Sequence, residues 1–137
     1  MIDLSWSVFE MIKKQYDFEL LFRALADRTR LRLINLVADG EVCVCSLVEV
    51  LNTSQSKVSR HLAYLRRAGL VSPRREGKWM HYRLCEPADA YAAQIFREVR
   101  VWLASNPEMN VEKIRLEKLL IGPQAPQPLQ KAYGSVV

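Results

Sequence analysis

Between Ser54 and Leu84 the apolar period of the chain changes abruptly, and few folds accommodate both sides of that change. Val58, Leu62 and Leu65 recur at i, i+4 and i+7, which puts one apolar stripe on a helix that Ser54 can cap and Gly69 can stop. From Trp79 to Leu84 the period is two, with Met80, Tyr82 and Leu84 on one side and Trp79, His81 and Arg83 on the other. Leu70-Val71 leads through Pro73 to Arg74-Arg75, and Glu76-Gly77-Lys78 supplies a tip, so the two runs read as a β-hairpin. The same stretch holds the charge. Residues 53–83 carry eight Lys and Arg against Glu76 alone, whereas the remainder carries 12 basic and 14 acidic residues, so the net charge of +5 originates here. A basic patch on a slightly acidic body is the footprint of a phosphate-backbone binder, although charge alone equally describes a solvated face. The order of elements has to decide.

Upstream, residues 3–26 read as a helix, whole or in two pieces, with Val8, Met11, Ile12, Leu21, Phe22 and Leu25 at intervals of three and four. Asp27 is a candidate N-cap for a second helix that ends at Asp39-Gly40, and a short helix spans Cys43 to Leu51, broken by Asn52. Downstream, a helix over 88–104 carries Ile95, Val99 and Trp102, Asn106-Pro107 breaks it, and a last short helix covers Val111–Ile121. Residues 1–121 are thus expected to form one domain, and residues 122–137, rich in Pro and Gln, a flexible tail. Of the 137 residues 50% are hydrophobic and 26% charged, a globular balance. No apolar run approaches the ~18–20 residues that cross a bilayer. The N-terminus lacks the form of a secretory signal, and three cysteines, an odd number with two of them one residue apart, suit a reducing cytoplasm better than a disulfide framework.

A short helix, a tight turn, a helix with small polar residues at its start and then a basic hairpin constitute a winged helix-turn-helix. The expected fold is therefore α+β, mainly α, with a two-stranded wing and flanking dimerisation helices. Gln55, Ser56, Ser59, Arg60 and His61 offer donors and acceptors to base edges in a major groove, while Lys57, Arg74, Arg75 and Lys78 can hold phosphates. One half-site supplies few base contacts, so a two-fold dimer on double-stranded operator DNA is expected, with Trp6, Phe9, Ile95 and Trp102 as candidate interface residues. The competing reading is that these four complete the monomer core.

Four blocks in order, 21–37, Glu41–Leu47, 55–71 and Gly77–Leu84, resemble the ArsR/SmtB metalloregulatory repressors over about residues 20–85. The resemblance implies a homodimeric winged-helix repressor that leaves its operator when an inducer binds and needs no cofactor to hold DNA. In the arsenic-responsive branch, Cys-Val-Cys at this place is the core of an As(III)/Sb(III) site, which implies that role for Cys43 and Cys45. That branch often has a third cysteine where this chain has Val48, leaving Cys85, a cellular thiol or nothing as the third ligand. Branches that bind zinc through the last helix use His and Asp/Glu there, and residues 88–104 contain no His.

Geometry sets a condition on the pair. Residues i and i+2 on an α-helix are separated by about 200° around the axis, whereas in an extended segment they point the same way. A soft metalloid can bridge Cys43 and Cys45 only if the first helical turn there unwinds or never forms. Rival readings are a thiol-redox sensor on the same fold, another thiophilic metal as inducer, an inducer-free architectural DNA binder, and a thiol enzyme. The last lacks a Cys-x-x-Cys motif, a Gly-rich phosphate loop and a His beside a nucleophile.

Overall fold

A computed structural model of the chain describes Val8 and residues 15–122. Trp6, Phe9 and residues 123–137 of the expected tail lie outside the described residues. Helix α1 (Phe18–Leu25) follows a non-helical stretch at residues 15–17, where Asp17 accepts a hydrogen bond from Leu20 N at 3.0 Å. The stripe read over 3–26 is interrupted there. Asp27 caps α2 (Arg28–Leu36) through Arg30 N at 2.9 Å, as its sequence position predicts.

Helix α2 stops at Leu36, before Asp39-Gly40, because its last turn is fixed from outside. Asn35 is buried and its Nδ2 donates to Met109 O at 3.1 Å, while Lys113 Nζ donates to Asn35 O at 2.8 Å. That carbonyl otherwise receives only the turn bonds of the helix end, among them Ala38 N at 3.4 Å, and a cation there complements the C-terminal dipole. Both partners come from the last helix, α6 (Pro107–Ile121), which is longer than its apolar pattern suggests. Asn106 caps it through Met109 N at 3.1 Å, and Pro107 occupies its first position, where a missing N–H costs nothing. Arg28–Glu108 and the forked Arg32–Glu112 pair continue the contact one helical turn apart.

A two-residue strand, β1 (Val42–Cys43), precedes α3 (Val44–Leu51) and has no counterpart in the sequence reading. Two residues are too short to show an alternating pattern. Helix α3 ends at Asn52, which takes the left-handed conformation (φ 51°) that Asn tolerates. Helix α4 (Gln55–Arg67) is capped by Ser54 and ends at Gly69, φ 78°, with Leu70 N donating to Leu65 O and Gly69 N to Arg66 O. Strands β2 (Val71–Glu76) and β3 (Trp79–Leu84) form the hairpin, and β1 pairs on the far side of β3, giving an antiparallel sheet of order β1-β3-β2. Helix α5 (Ala90–Ala104), capped by Asp89, completes the described elements.

The core collects Leu33 and Ile34 of α2, Leu47 of α3, Val58, Leu62 and Leu65 of α4, Tyr82 of β3, Phe96 of α5 and Leu116 of α6. Burying Val58, Leu62 and Leu65 leaves the opposite face of α4 to water. Replacing Asn35 with Ala should lower the unfolding free energy by about 1–3 kcal/mol, since Met109 O loses its buried donor. Arg28→Ala, which breaks only an exposed pair, should cost less than about 1 kcal/mol in the same urea titration.

Candidate functional site

The exposed face of α4 begins at its capped N-terminus. Gln55, Ser56, Lys57, Ser59 and Arg60 all project to solvent, the direction opposite the buried stripe. His61 departs from this set. Its ring is half-buried, with Nδ1 3.4 Å from Arg30 Nη1 and 3.7 Å from Asp27 Oδ1, so it faces the α1–α2 junction. Burial lowers its pKa from the ordinary 6.5; Asp27 opposes that shift, and Arg30, Lys57 and Arg60 add to it.

Arg30 is a residue that sequence reasoning missed. Its guanidinium donates to Arg23 O at 2.7 Å and Ala24 O at 2.8 Å, two carbonyls in the last turn of α1, and lies 4.2 Å over the Tyr64 ring of α4. It therefore sets α4 against the two preceding helices. Nothing in the spacing of an isolated Arg in a basic helix announces that role.

In the wing, Arg75 and Lys78 are exposed, with Lys78 Nζ 5.3 Å from the Trp79 ring. Arg74 is occupied. Its Nε lies 2.9 and 3.0 Å from the two oxygens of Glu41, its Nη2 lies 2.6 Å from Glu41 Oε1, and Glu76 Oε2 is 3.3 Å away. The Arg74 hydrogen bonds hold the Glu41 carboxyl below its usual range, and the pairing pushes the Arg74 pKa up. The register places Arg74 opposite His81, and His81 opposite Cys43. These three residues make one row across the sheet, on the face away from core residues Val42 and Tyr82.

Cys43 is 1% exposed and extended (φ −68°, ψ 140°), and it serves as the N-cap of α3, with its Sγ accepting from Cys45 N at 3.3 Å. Cys45 stands in the first helical turn and is partly exposed. The two Cα atoms are 5.2 Å apart and the sulfurs are joined as a disulfide. The geometric condition is thus met without unwinding α3: the pair straddles the boundary between strand and helix. The 200° separation would apply only if both residues were helical. The helix start also favours negative charge on a sulfur held there.

Val48, one turn further on, packs against the core. Cys85 does not join the pair within the chain. It lies four residues beyond His81, about 13 Å along the strand direction, and its Sγ donates to Gly69 O at 3.1 Å while burial pushes the thiol pKa up. Among the described residues, no group of three or more His, Cys, Asp or Glu is placed to hold a metal ion.

The remaining candidates lie on α5. Ile95 is 37% exposed and Trp102 77%, so neither is sealed in the monomer core. With Tyr91, 79% exposed, they fall within about 40° of one another around the helix. Phe18 and Phe22 of α1 are also exposed, and a cleft of about 250 Å³ between the helices is lined by Tyr16, Phe18, Phe22, Asp89, Tyr91 and Ile95.

The exposed polar start of α4, the α3–α4 turn and the basic hairpin together define a winged helix-turn-helix DNA-binding unit. Residues 27–72 match the family described as "Bacterial regulatory protein, arsR family". The chain is 52% identical over 79 residues to the "Arsenical resistance operon repressor" of Escherichia coli, covering 57% of this chain and 68% of that protein. It is 39% identical over 109 residues to the "Arsenic resistance transcriptional regulator ArsR1" of Pseudomonas putida, covering 78% and 83%. Among solved structures, the homodimeric winged helix-turn-helix DNA-binding domain of a possible ArsR-family regulator from Mycobacterium bovis superposes with a TM-score of 0.51 at 27% identity, covering 74% of this chain and 86% of that one. The chain belongs to the arsR family of bacterial regulatory proteins. It is accordingly a transcription regulator and not an enzyme. No helix among the described residues is long and apolar enough to cross a membrane.

Because the folded state disfavours protonated His61, the unfolded chain binds more protons once pH falls below about 6.5. Stability should therefore decline as pH drops from there toward the lowered native pKa. His61→Gln should flatten that part of a pH–stability curve measured by urea unfolding, and an unchanged curve would show that His61 is not shielded.

Proposed function

We propose that the protein is a homodimeric repressor that holds operator DNA with α4 and the wing and is released when As(III) or Sb(III) binds Cys43 and Cys45. The observation that carries this reading is the convergence of the two sulfurs at the β1–α3 boundary. The names of the E. coli and P. putida relatives support arsenic as the inducer. Arsenous acid condenses with the reduced pair: each thiol proton leaves with an arsenic hydroxyl as water, and two As–S bonds replace two As–O bonds. No electron is transferred. The third arsenic position keeps its hydroxyl or takes a cellular thiol, since Val48 offers no donor and Cys85 is held elsewhere in the chain.

The site has two routes to the DNA face. Val42 and Cys43 pair with Tyr82 and His81 of the wing, and α3 packs on α4. A coupling free energy of about 1–3 kcal/mol across these contacts reduces operator affinity about 5–150-fold. Gln55, Ser56, Ser59 and Arg60 read bases in this account, and Lys57, Arg75 and Lys78 hold phosphates; His61 contributes by fixing α4 against α2.

A second reading is thiol oxidation, for which the two sulfurs are close enough. A peroxide would take two electrons and two protons from the pair, leaving a disulfide, water and an alcohol (or a second water). Dimerisation is assigned to the stripe of Tyr91, Ile95 and Trp102 with Phe18 and Phe22 of α1, an apolar surface that a monomer leaves wet. The regulator works where the chromosome is, in the cytoplasm.

Fluorescence anisotropy on a duplex from the protein's own promoter region tests the inducer site. Under thiol reductant, arsenite should release the wild type and Cys85→Ser about 5–150-fold, and should leave Cys43→Ser and Cys45→Ser bound. Release that survives loss of both cysteines would discard the site, and release by peroxide alone would favour oxidation. In sedimentation experiments Ile95→Asp should shift the protein from dimer to monomer.

A further inference from the structure

Arg74 stands on the wing, where a phosphate contact is expected, yet two carboxylates already occupy it. Arg74, Glu41 and Glu76 together carry one positive and two negative charges, an arrangement that repels phosphate. The principal holder, Glu41, is two residues from Cys43, with only Val42 between them. Its carboxylate also lies 3.9 Å from His81 Nδ1, and His81 is the cross-strand partner of both Cys43 and Arg74. His81 is itself buried, and its Nε2 has no hydrogen-bond partner and sits 3.6 Å from Glu76 Oε2. One row of side chains thus connects the thiol pair to the wing arginine.

We propose that Glu41 is a positioning residue that withholds Arg74 from DNA when the sulfurs of Cys43 and Cys45 are drawn together, and yields it when they part. The inference rests on the reading of those cysteines as the inducer site. The structure has the sulfurs joined and the clamp closed at once. Drawing Cys43 toward the start of α3 fixes β1 against β3, and that holds the Glu41 carboxylate over Arg74. With two separate thiols β1 keeps its two-residue ladder and the core packing of Val42 but loses the link to the start of α3, and a phosphate oxygen competes with Glu41 for the guanidinium fork. Inducer binding then removes one phosphate contact per protomer as well as reorienting α4.

The salt dependence of binding measures this directly, because each neutralised phosphate adds about 0.9 to the slope of log K against log salt. The assay is anisotropy on duplex DNA from the protein's own promoter region at several salt concentrations, with thiol reductant, with and without sodium arsenite. Arsenic per protomer is counted by elemental mass spectrometry after desalting. For the wild type, arsenite should lower the slope by about 0.9 per protomer. Glu41→Gln should take up the same arsenic yet keep its slope and retain more of its affinity, and Arg74→Ala should show the low slope from the start. Should Glu41→Gln fail to fold, Arg74→Lys serves: it keeps the charge but loses the fork, and its slope should not respond to arsenite. A fully loaded Glu41→Gln or Arg74→Lys protein whose slope falls as the wild type's does overturns the role of Glu41. A wild type that binds no arsenic overturns the inducer reading and this inference with it, and the arsenic count tells the two failures apart.

Discussion

Two backbone pairings, Val42 with Tyr82 and Cys43 with His81, hold the architecture of the site together. They convert a hairpin into a three-stranded sheet, keep Cys43 extended, and so allow α3 to start one residue later with Cys43 as its cap. Were Cys43 the first helical residue, the sulfurs would diverge around the helix. The pairing therefore produces the convergence and, in the same stroke, attaches it to the wing. A site built wholly within α3 would have only helix packing through which to act.

The second constraint is on α4. Its buried stripe fixes which face looks outward, but not its orientation relative to the preceding helices. Arg30 supplies that by bonding the end of α1 and stacking on Tyr64, with His61 and Asp27 beside it. On the other side α6 locks the end of α2 through Asn35, Lys113 and the Arg32–Glu112 pair, and also packs on α3. The reading head is held from both ends by polar contacts around an apolar centre.

Much of this is legible in the residues because it depends on local rules. Asp27 and Ser54 are caps with mechanisms, Gly69 ends α4 by its left-handed conformation, and the alternation from Trp79 to Leu84 sorts Tyr82 inward and Arg83 outward. What escaped depends on distant partners. Strand β1 is too short for a pattern and exists only because β3 is beside it. The end of α2 is decided by residues of α6 some 75 positions later. Pro107 reads as a break and in fact opens a helix, since the first position is where proline fits. Within the site, the cysteine pair and the polar start of α4 were visible, but the clamp on Arg74 and the inward turn of His61 were not. In sequence each is a charged or polar residue in a basic stretch, and only the fold assigns it a partner.

If the sulfurs are wired to the wing through β1, occupying them must be felt on β3. Amide hydrogen exchange, followed residue by residue by NMR in the reduced protein, measures this before and after one equivalent of arsenite. Slower exchange at His81, Tyr82 and the β2–β3 amides, together with residues 42–46, is the predicted result. Full occupancy of the pair with exchange altered in α3 alone, and the hairpin unchanged, would contradict the account.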